Sequence, residues 1–391
     1  MSNCDHKVIT KCYAKRLMEI MRDVLHPNQT AYLTNKQIQD NLRLINTINQ
    51  QIYKTIIVAL DARKAFDSVN HDYIRRVLIE LGLENFVPIF NLLYKDQTVD
   101  IAVNGDVVQG YSIKNGVKQG DALSFILFII CLDPLIRNVE HNDKIERVFM
   151  EDIVPPKLVA YADDITCFVD NKQSLKHIFK EYERLSAASC LVLNAEKTEI
   201  LDGINRTYKI KYLNNLHYIR GLTEAKINGV LFAKDGNYMK ARSYEALVEK
   251  VGKALAMWEA RKLSLLGKIL ILKTFGLSQL IYILTVIELE QEQYKKLERM
   301  FLNFLWGRDI QRERVYNRIS REKLSRPVEM GGFGMIDFKE VIDGIHCKQL
   351  CKMFGEEYSH PLKFCIKNDQ KSFASGKCLK TKADEVSQKA Q

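Results

Sequence analysis

Apolar positions recur along this chain in two rhythms. Over residues 7–25 they return every three or four positions (Leu17, Ile20, Met21, Val24, Leu25), which predicts an amphipathic helix stopped by Pro27. The same period predicts helices near 37–50, 71–81, 87–94, 174–189 and 290–306, and two more over 258–278 broken near Ser264. Short β-branched runs give the second rhythm. One covers 53–60 and ends in Asp61; another, 98–103, meets Asn104-Gly105, a strong type I′ hairpin signal, and resumes at Val107-Val108. Residues 157–160 and 165–169 flank Tyr161-Ala162-Asp163-Asp164 and predict a hairpin with two carboxylates at its turn, while 227–232 reads as one strand. Residues 122–132 are apolar all round and closed by Asp133 and Arg137, which predicts a buried helix too short to span a bilayer. Strands mixed with helices in this way predict an α+β protein.

Composition narrows the picture moderately. At 391 residues, 47% hydrophobic and 27% charged, the chain suits a soluble protein of two or three domains. A net charge of +10 favours an anionic partner, with nucleic acid the leading candidate and a generic basic surface the alternative. The nine cysteines show no zinc spacing and suit a reducing compartment; Cys347 and Cys351, one helical turn apart, are expected to be buried thiols. The region after Met1 shows no signal-peptide run.

The paired carboxylates change the picture most. Burying adjacent Asp163 and Asp164 demands neutralisation, most simply by a divalent cation, although an acidic hairpin turn can equally be solvated. Asp61, at the end of its own strand, supplies a third carboxylate. Three such groups on neighbouring strands fit a two-metal phosphoryl-transfer site. Asp61-Ala62-Arg63-Lys64-Ala65-Phe66-Asp67, Gln119-Gly120-Asp121-Ala122-Leu123-Ser124 and Tyr161-Ala162-Asp163-Asp164 follow in that order. Together they resemble the successive palm motifs of reverse transcriptases, in particular those of non-LTR (LINE-type) retrotransposons. The resemblance extends from about Asp5 to Phe354, through Trp258-Glu259-Ala260-Arg261-Lys262 and Gly331-Gly332-Phe333-Gly334-Met335.

That resemblance implies a right-hand polymerase fold: partial fingers over 1–52, an antiparallel-sheet palm with finger insertions and a primer-grip region over 53–240, and a helical thumb over 241–306. A carboxy-terminal region over 307–370 and a basic, disordered tail over 371–391 would follow. It implies an RNA template, a DNA primer, deoxynucleoside triphosphates, two Mg²⁺ ions, no membrane, and an intracellular setting in cytoplasm and nucleus. Asp61 and Asp163 would bridge both ions, with Asp164 a further ligand or a source of local field. Lys197 would protonate the departing pyrophosphate, or be an ordinary solvated lysine. Arg63 and Lys64 would cradle the triphosphate, or be plain surface charges. Gln119 would touch the incoming nucleotide and Gly120 would let the template backbone approach; a helix-entry loop with Asp121 as N-cap accommodates both. Phe66 resembles the family's steric gate beneath the sugar, against the alternative of a core residue, and Asp67 is expected to cap the following helix.

Other readings stand beside this one. The opening residues resemble the middle of a fingers motif whose preceding strand is absent, so the chain is expected to be amino-terminally incomplete and weak in polymerisation. A non-catalytic nucleic-acid-binding remnant is then a rival, as is a group II intron-type maturase, which shares the Tyr-Ala-Asp-Asp hairpin. Arg308, Arg312, Arg314, Arg318, Arg321, Lys323 and Arg326 could contact a duplex backbone or form a solvated surface.

Overall fold

The strand at 56–60 is where the amino-terminal part of the molecule is assembled. The computed structural model describes residues 4–33, 35–94, 97–150, 154–307, 309, 317–354 and 360. They divide into two units, Met1–Ala225 with Ser359–Gln391, and Lys226–Tyr358. The division after Ala225 falls within the stretch read as palm, and the basic tail lies outside the described residues.

Among the described residues ten strands follow in chain order: β1 (Ile56–Leu60), β2 (Thr98–Val103), β3 (Asp106–Ser112), β4 (Leu158–Tyr161), β5 (Asp164–Val169), β6 (Glu199–Leu201), β7 (Thr207–Tyr212), β8 (Asn215–Leu222), β9 (Glu224–Ile227) and β10 (Val230–Ala233). Six of them form one sheet in the order β4-β5-β1-β6-β8-β7. β1 pairs antiparallel with β5 on one side, Val58 opposite Cys167, and with β6 on the other, Val58 opposite Ile200. The sheet is antiparallel except where β6 runs parallel to β8, because the chain passes out to the edge strand β7 before returning between them.

Both faces are covered where β4, β5 and β1 lie, which explains why β1 reads as a continuous apolar run, whereas the edge strand β7 alternates exposed and buried residues. Val58, Leu60, Leu158 and Cys167 join a core with Leu17, Met21, Leu127, Ile130, Ile178 and Phe179, while Ile57 is fully buried on the opposite face. Each such side chain contributes about 1.5–3 kcal/mol on burial. The helix Ala122–His141 is the centre of that core. It runs for 20 residues and continues through Pro134. By length and composition alone it could cross a membrane, as could the span Leu265–Leu284; but 72% of the first is buried inside the protein. Asp133 within it is 2% exposed, held by Arg137 and by the backbone N–H of His26, which donates at 2.7 Å.

The β2–β3 hairpin turns at Asn104 and Gly105, both with positive φ (52° and 96°), as its sequence predicts. Two other hairpins depart from the sequence reading. Residues 227–232 are not one strand: Asn228 and Gly229 take positive φ and turn β9 into β10. β7 and β8, unpredicted, turn at Leu213 and Asn214, again with positive φ (48° and 61°). Asp67 is not the helix cap. The helix His71–Glu80 is capped by Asn70, whose Oδ1 accepts from the N–H groups of Asp72 and Tyr73, at 2.8 and 3.2 Å.

In the second unit the helix Gly236–Glu259 buries Leu247, Val251 and Leu255. The chain then breaks where expected, at Ser264, whose hydroxyl caps the helix Leu265–Ile271. A π-helical turn, Leu272–Leu277, follows before Ser278–Leu284. Gly276 in that turn faces Phe301, a residue of the helix Gln291–Leu305; a Cβ there would lie 3.1 Å from the ring. In the last described helix, Phe338–Phe354, Cys347 and Cys351 are exposed, which corrects their reading as buried thiols; among the described residues the buried thiols are Cys131 and Cys167. Arg321 and Arg326 pair with Glu298 and Glu322, at 3.2 and 2.6 Å, whereas Arg308, Arg312 and Arg314 lie outside the described residues.

Candidate active site

The register of two hairpinned strands brings the acidic residues together. Leu60 pairs with Ile165 and Tyr161 with Asp164, so the next step of the β1–β5 register sets Asp61 level with Asp164. Asp163 occupies the turn between β4 and β5, beside Ala162, whose φ is 55°. Asp61 and Asp163 are half-buried. Desolvation raises the Asp163 carboxyl above the ordinary range, and the charge of Asp61 adds to the rise against a backbone hydrogen bond that lowers it. Asp164 keeps an open face to solvent. Even so, partial desolvation, then the like charges of Asp163 and Asp61, push its carboxyl up to about 6.

These shifts describe carboxylates crowded at one end of a sheet, and their chemistry fits a hard divalent cation. All three donors are oxygens, and each added positive charge would relieve repulsion that the fold itself creates. Among the described residues no group of three or more His, Cys, Asp or Glu side chains is gathered closely enough to hold a metal on protein ligands alone. Mg²⁺ does not require one, since it binds through one or two carboxylates, waters and substrate phosphates. A pH signature follows. A carboxyl whose folded pKa lies above its unfolded value favours the fold when protonated, and that contribution is lost as pH rises from about 4 through about 6. Bound Mg²⁺ should therefore raise the melting temperature more at pH 7.5 than at pH 5.5; an equal gain at both pH values, read by calorimetry, would contradict the coupling.

Two loops are zipped together beside the acids. Val117 N–H donates to Phe66 O and Gly116 N–H to Val69 O, each at 2.7 Å, and the His71 ring donates to Gly116 O at 2.8 Å. Gln119 Nε2 reaches the Asp67 carboxylate at 3.0 and 3.3 Å, so the residue expected to cap a helix instead orients Gln119. Gly120 has φ of 80° and open space where a Cβ would stand. Asp121 caps Ala122–His141 as expected, accepting from Leu123 N–H at 3.2 Å, and its other oxygen lies 3.1 Å from His6 Nε2.

Phe66 is half-buried, stacked on Phe128 with centroids 4.4 Å apart and set edge-on to Phe125 at 5.7 Å. Tyr32, which the sequence reading did not single out, stacks on the same Phe125 at 4.3 Å and lies 6.4 Å from Tyr161. Arg63 and Lys64 are exposed in the turn after Asp61. Arg63 lines a surface cavity with Tyr212 and His217, on the β7–β8 side of the sheet. Lys197 is also exposed, in a turn tied to the site through the backbone: Asn194 N–H donates to Asp61 O at 2.7 Å. The structure thus brings Asp61, Asp163 and Asp164 together, with Phe66 on the short helix Ala65–Ser68 and Gln119 and Gly120 on the adjoining loop, and connects Lys197 only through its segment.

The chain has relatives among known proteins. Residues 1–215 match the family model for reverse transcriptase (RNA-dependent DNA polymerase). A transposon TX1 uncharacterized 149 kDa protein of Xenopus laevis is 27% identical over 361 residues, 88% of this chain and 26% of its own length. A retrovirus-related Pol polyprotein from the type-1 retrotransposable element R2 of Popillia japonica is 31% identical over 200 residues, 49% of this chain and 27% of its own. The chain thus spans about a quarter of the length of these curated relatives. Apo telomerase from Candida Tropicalis aligns over 97% of this chain and 60% of its own, with 14% identity and a TM-score of 0.44. The family model covers more than half of the chain and contains all three motifs, as the sequence resemblance implied: the chain belongs to the reverse transcriptase (RNA-dependent DNA polymerase) family.

Proposed function

We propose that this chain is the polymerase region of a non-LTR retrotransposon protein and copies RNA into DNA, extending a DNA primer with deoxynucleoside triphosphates. The observation that carries this reading is the convergence of Asp61 with the Asp163-Asp164 turn at one end of two paired strands, β1 and β5. Asp61, Asp163 and Asp164 would hold two Mg²⁺ ions, which when bound supply charge neutralisation of the triphosphate and a lowered pKa for the attacking hydroxyl. Gln119, oriented by Asp67, contacts the incoming nucleotide, and Gly120 leaves room for the template backbone. Arg63 and Lys64 attract the triphosphate, and Lys197 delivers a proton to the departing pyrophosphate. Base pairing selects the nucleotide, while the protein positions it. The predicted setting is intracellular, in cytoplasm and nucleus. Extension of a DNA primer on an RNA template, dependent on added Mg²⁺, tests the reading; no extension by the chain, alone or within a longer protein that carries it, would overturn it.

Phe66 gives a second test of the same site. As a gate, its ring meets a ribose 2′-hydroxyl that finds no hydrogen-bond partner there. Phe66→Val should then raise ribonucleotide over deoxyribonucleotide incorporation by roughly ten- to a hundred-fold. The stack on Phe128 also predicts a lower melting temperature. Equal loss of both nucleotide types, with that lower melting temperature, would make Phe66 a core residue only.

A further inference from the structure

Gln29 lies in none of the three palm motifs, yet it is fully buried, on the segment between the helices Cys4–Val24 and Ile38–Gln51. A buried amide needs partners for both its oxygen and its nitrogen. The oxygen, Oε1, accepts from Ala162 N–H at 3.1 Å and from Ala31 N–H at 3.0 Å, while Nε2 lies 3.5 Å from Ala162 O. Two backbone donors facing one side-chain atom identify that atom as the oxygen, so the amide's orientation follows from the geometry.

Ala162 is the residue immediately before Asp163, and its φ of 55° places it in the left-handed region that alanine occupies only under constraint. Around it, neighbouring residues fasten the strand instead of the turn. Ala160 O accepts from Thr30 N–H at 3.0 Å, from Thr30 Oγ1 at 3.1 Å and from Asn41 Nδ2 at 3.2 Å, and Ala160 N–H donates to Asn28 O at 2.9 Å. Gln29 alone in this group reaches past the strand end, and its one side chain meets both polar backbone atoms of the strained residue.

We infer that Gln29 is a positioning residue, whose amide holds the Ala162 turn in its left-handed form so that Asp163 and Asp164 are presented together for cation binding. The inference rests on the two-metal reading of the site. Gln29 touches no reacting atom and acts through the two carboxylates. Partners one step behind a metal ligand commonly change metal affinity by roughly 10–100-fold when removed.

The test uses the full chain with Mn²⁺ alone as the probe, its binding followed by electron paramagnetic resonance, alongside the melting temperature of each variant. Gln29→Met keeps the length of the side chain and removes all three contacts. Gln29→Glu keeps an oxygen for both N–H groups. Thr30→Val removes only the hydroxyl bond to Ala160. Mn²⁺ affinity should fall about tenfold or more in Gln29→Met, and stay within about threefold of the parent in Gln29→Glu and Thr30→Val, with little change in melting. Should Gln29→Met fail to fold, Gln29→Asn, one methylene too short to reach Ala162, should show the same loss. Parental affinity in Gln29→Met or Gln29→Asn, or a loss matched by a large drop in melting temperature, would overturn the inference. Asp163→Asn separates the two claims: if it binds Mn²⁺ as the parent does, the two-metal reading fails and takes this inference with it.

Discussion

Asp163→Asn is expected to abolish Mg²⁺-dependent primer extension while leaving binding of an RNA–DNA hybrid near the parental level. The substitution keeps the size of the side chain and removes its charge. If the carboxylate holds a cation that stabilises transition-state charge, its loss lowers turnover by roughly 10²–10³-fold or more. The surrounding electrostatics add a second signature. Asp163 repels Asp164 in the folded state. Neutralising it should therefore lower the Asp164 pKa and relieve repulsion, so that at pH 7 and without added metal the melting temperature holds or rises. An inactive protein that is no less stable marks a group kept for chemistry at the expense of the fold. Activity equal to the parent, or inactivity accompanied by unfolding, would remove Asp163 from the site.

A large effect on stability is expected from Gly116→Ala. Gly116 sits at φ of 88°, and a Cβ built there would lie 2.8–2.9 Å from the backbone O, C and Cα of Asp67. The Asp67 backbone has little freedom to retreat. Its N–H donates to Lys64 O at 2.9 Å, and its neighbours Phe66 and Val69 are bound by Val117 and Gly116 themselves. Strain at positive φ and overpacking each cost about 1–3 kcal/mol, so the pair should lower stability by roughly 2–5 kcal/mol. In urea unfolding this appears as a lower midpoint with an unchanged slope. Gly120→Ala is the internal comparison, because φ is positive there too but the space is open. It should cost only about 1 kcal/mol. Similar midpoints for both variants would show that the contact with Asp67 does not matter.

What could be read from residues alone was chemistry that is local in sequence. β1, the hairpin around Asp163 and Asp164, and the Asn104-Gly105 turn each carry their signal within a few residues, and each is present in the structure. The failures have physical reasons. The β7–β8 hairpin turns through Leu213 at positive φ, and a leucine gives no turn signal. Asn228-Gly229 does give one, but it is embedded in an apolar run that reads as a single strand. Asp67 and Asn70 are both good cap residues three positions apart, and only the partnership of Asp67 with Gln119 decides between them. Gln29 was the least accessible of all, because its meaning depends on Ala162, which no periodicity connects to it.

The place of β1 in the sheet has a consequence for how the protein is made. This strand leaves the ribosome well before either of its neighbours, β5 at 164–169 and β6 at 199–201. Until they arrive, Ile56, Ile57, Val58 and Leu60 form an apolar segment with two unsatisfied edges, the kind of surface that recruits other nascent chains. Pairing across so long a stretch of sequence is also slow. A ribosome stalled before residue 164 would therefore hold an aggregation-prone intermediate, and one that has passed residue 201 a chain in which β1 has both of its neighbours. Solubility of a series of carboxy-terminal truncations should accordingly change in a step across that interval, and chaperone dependence should be concentrated in the chains that end before it.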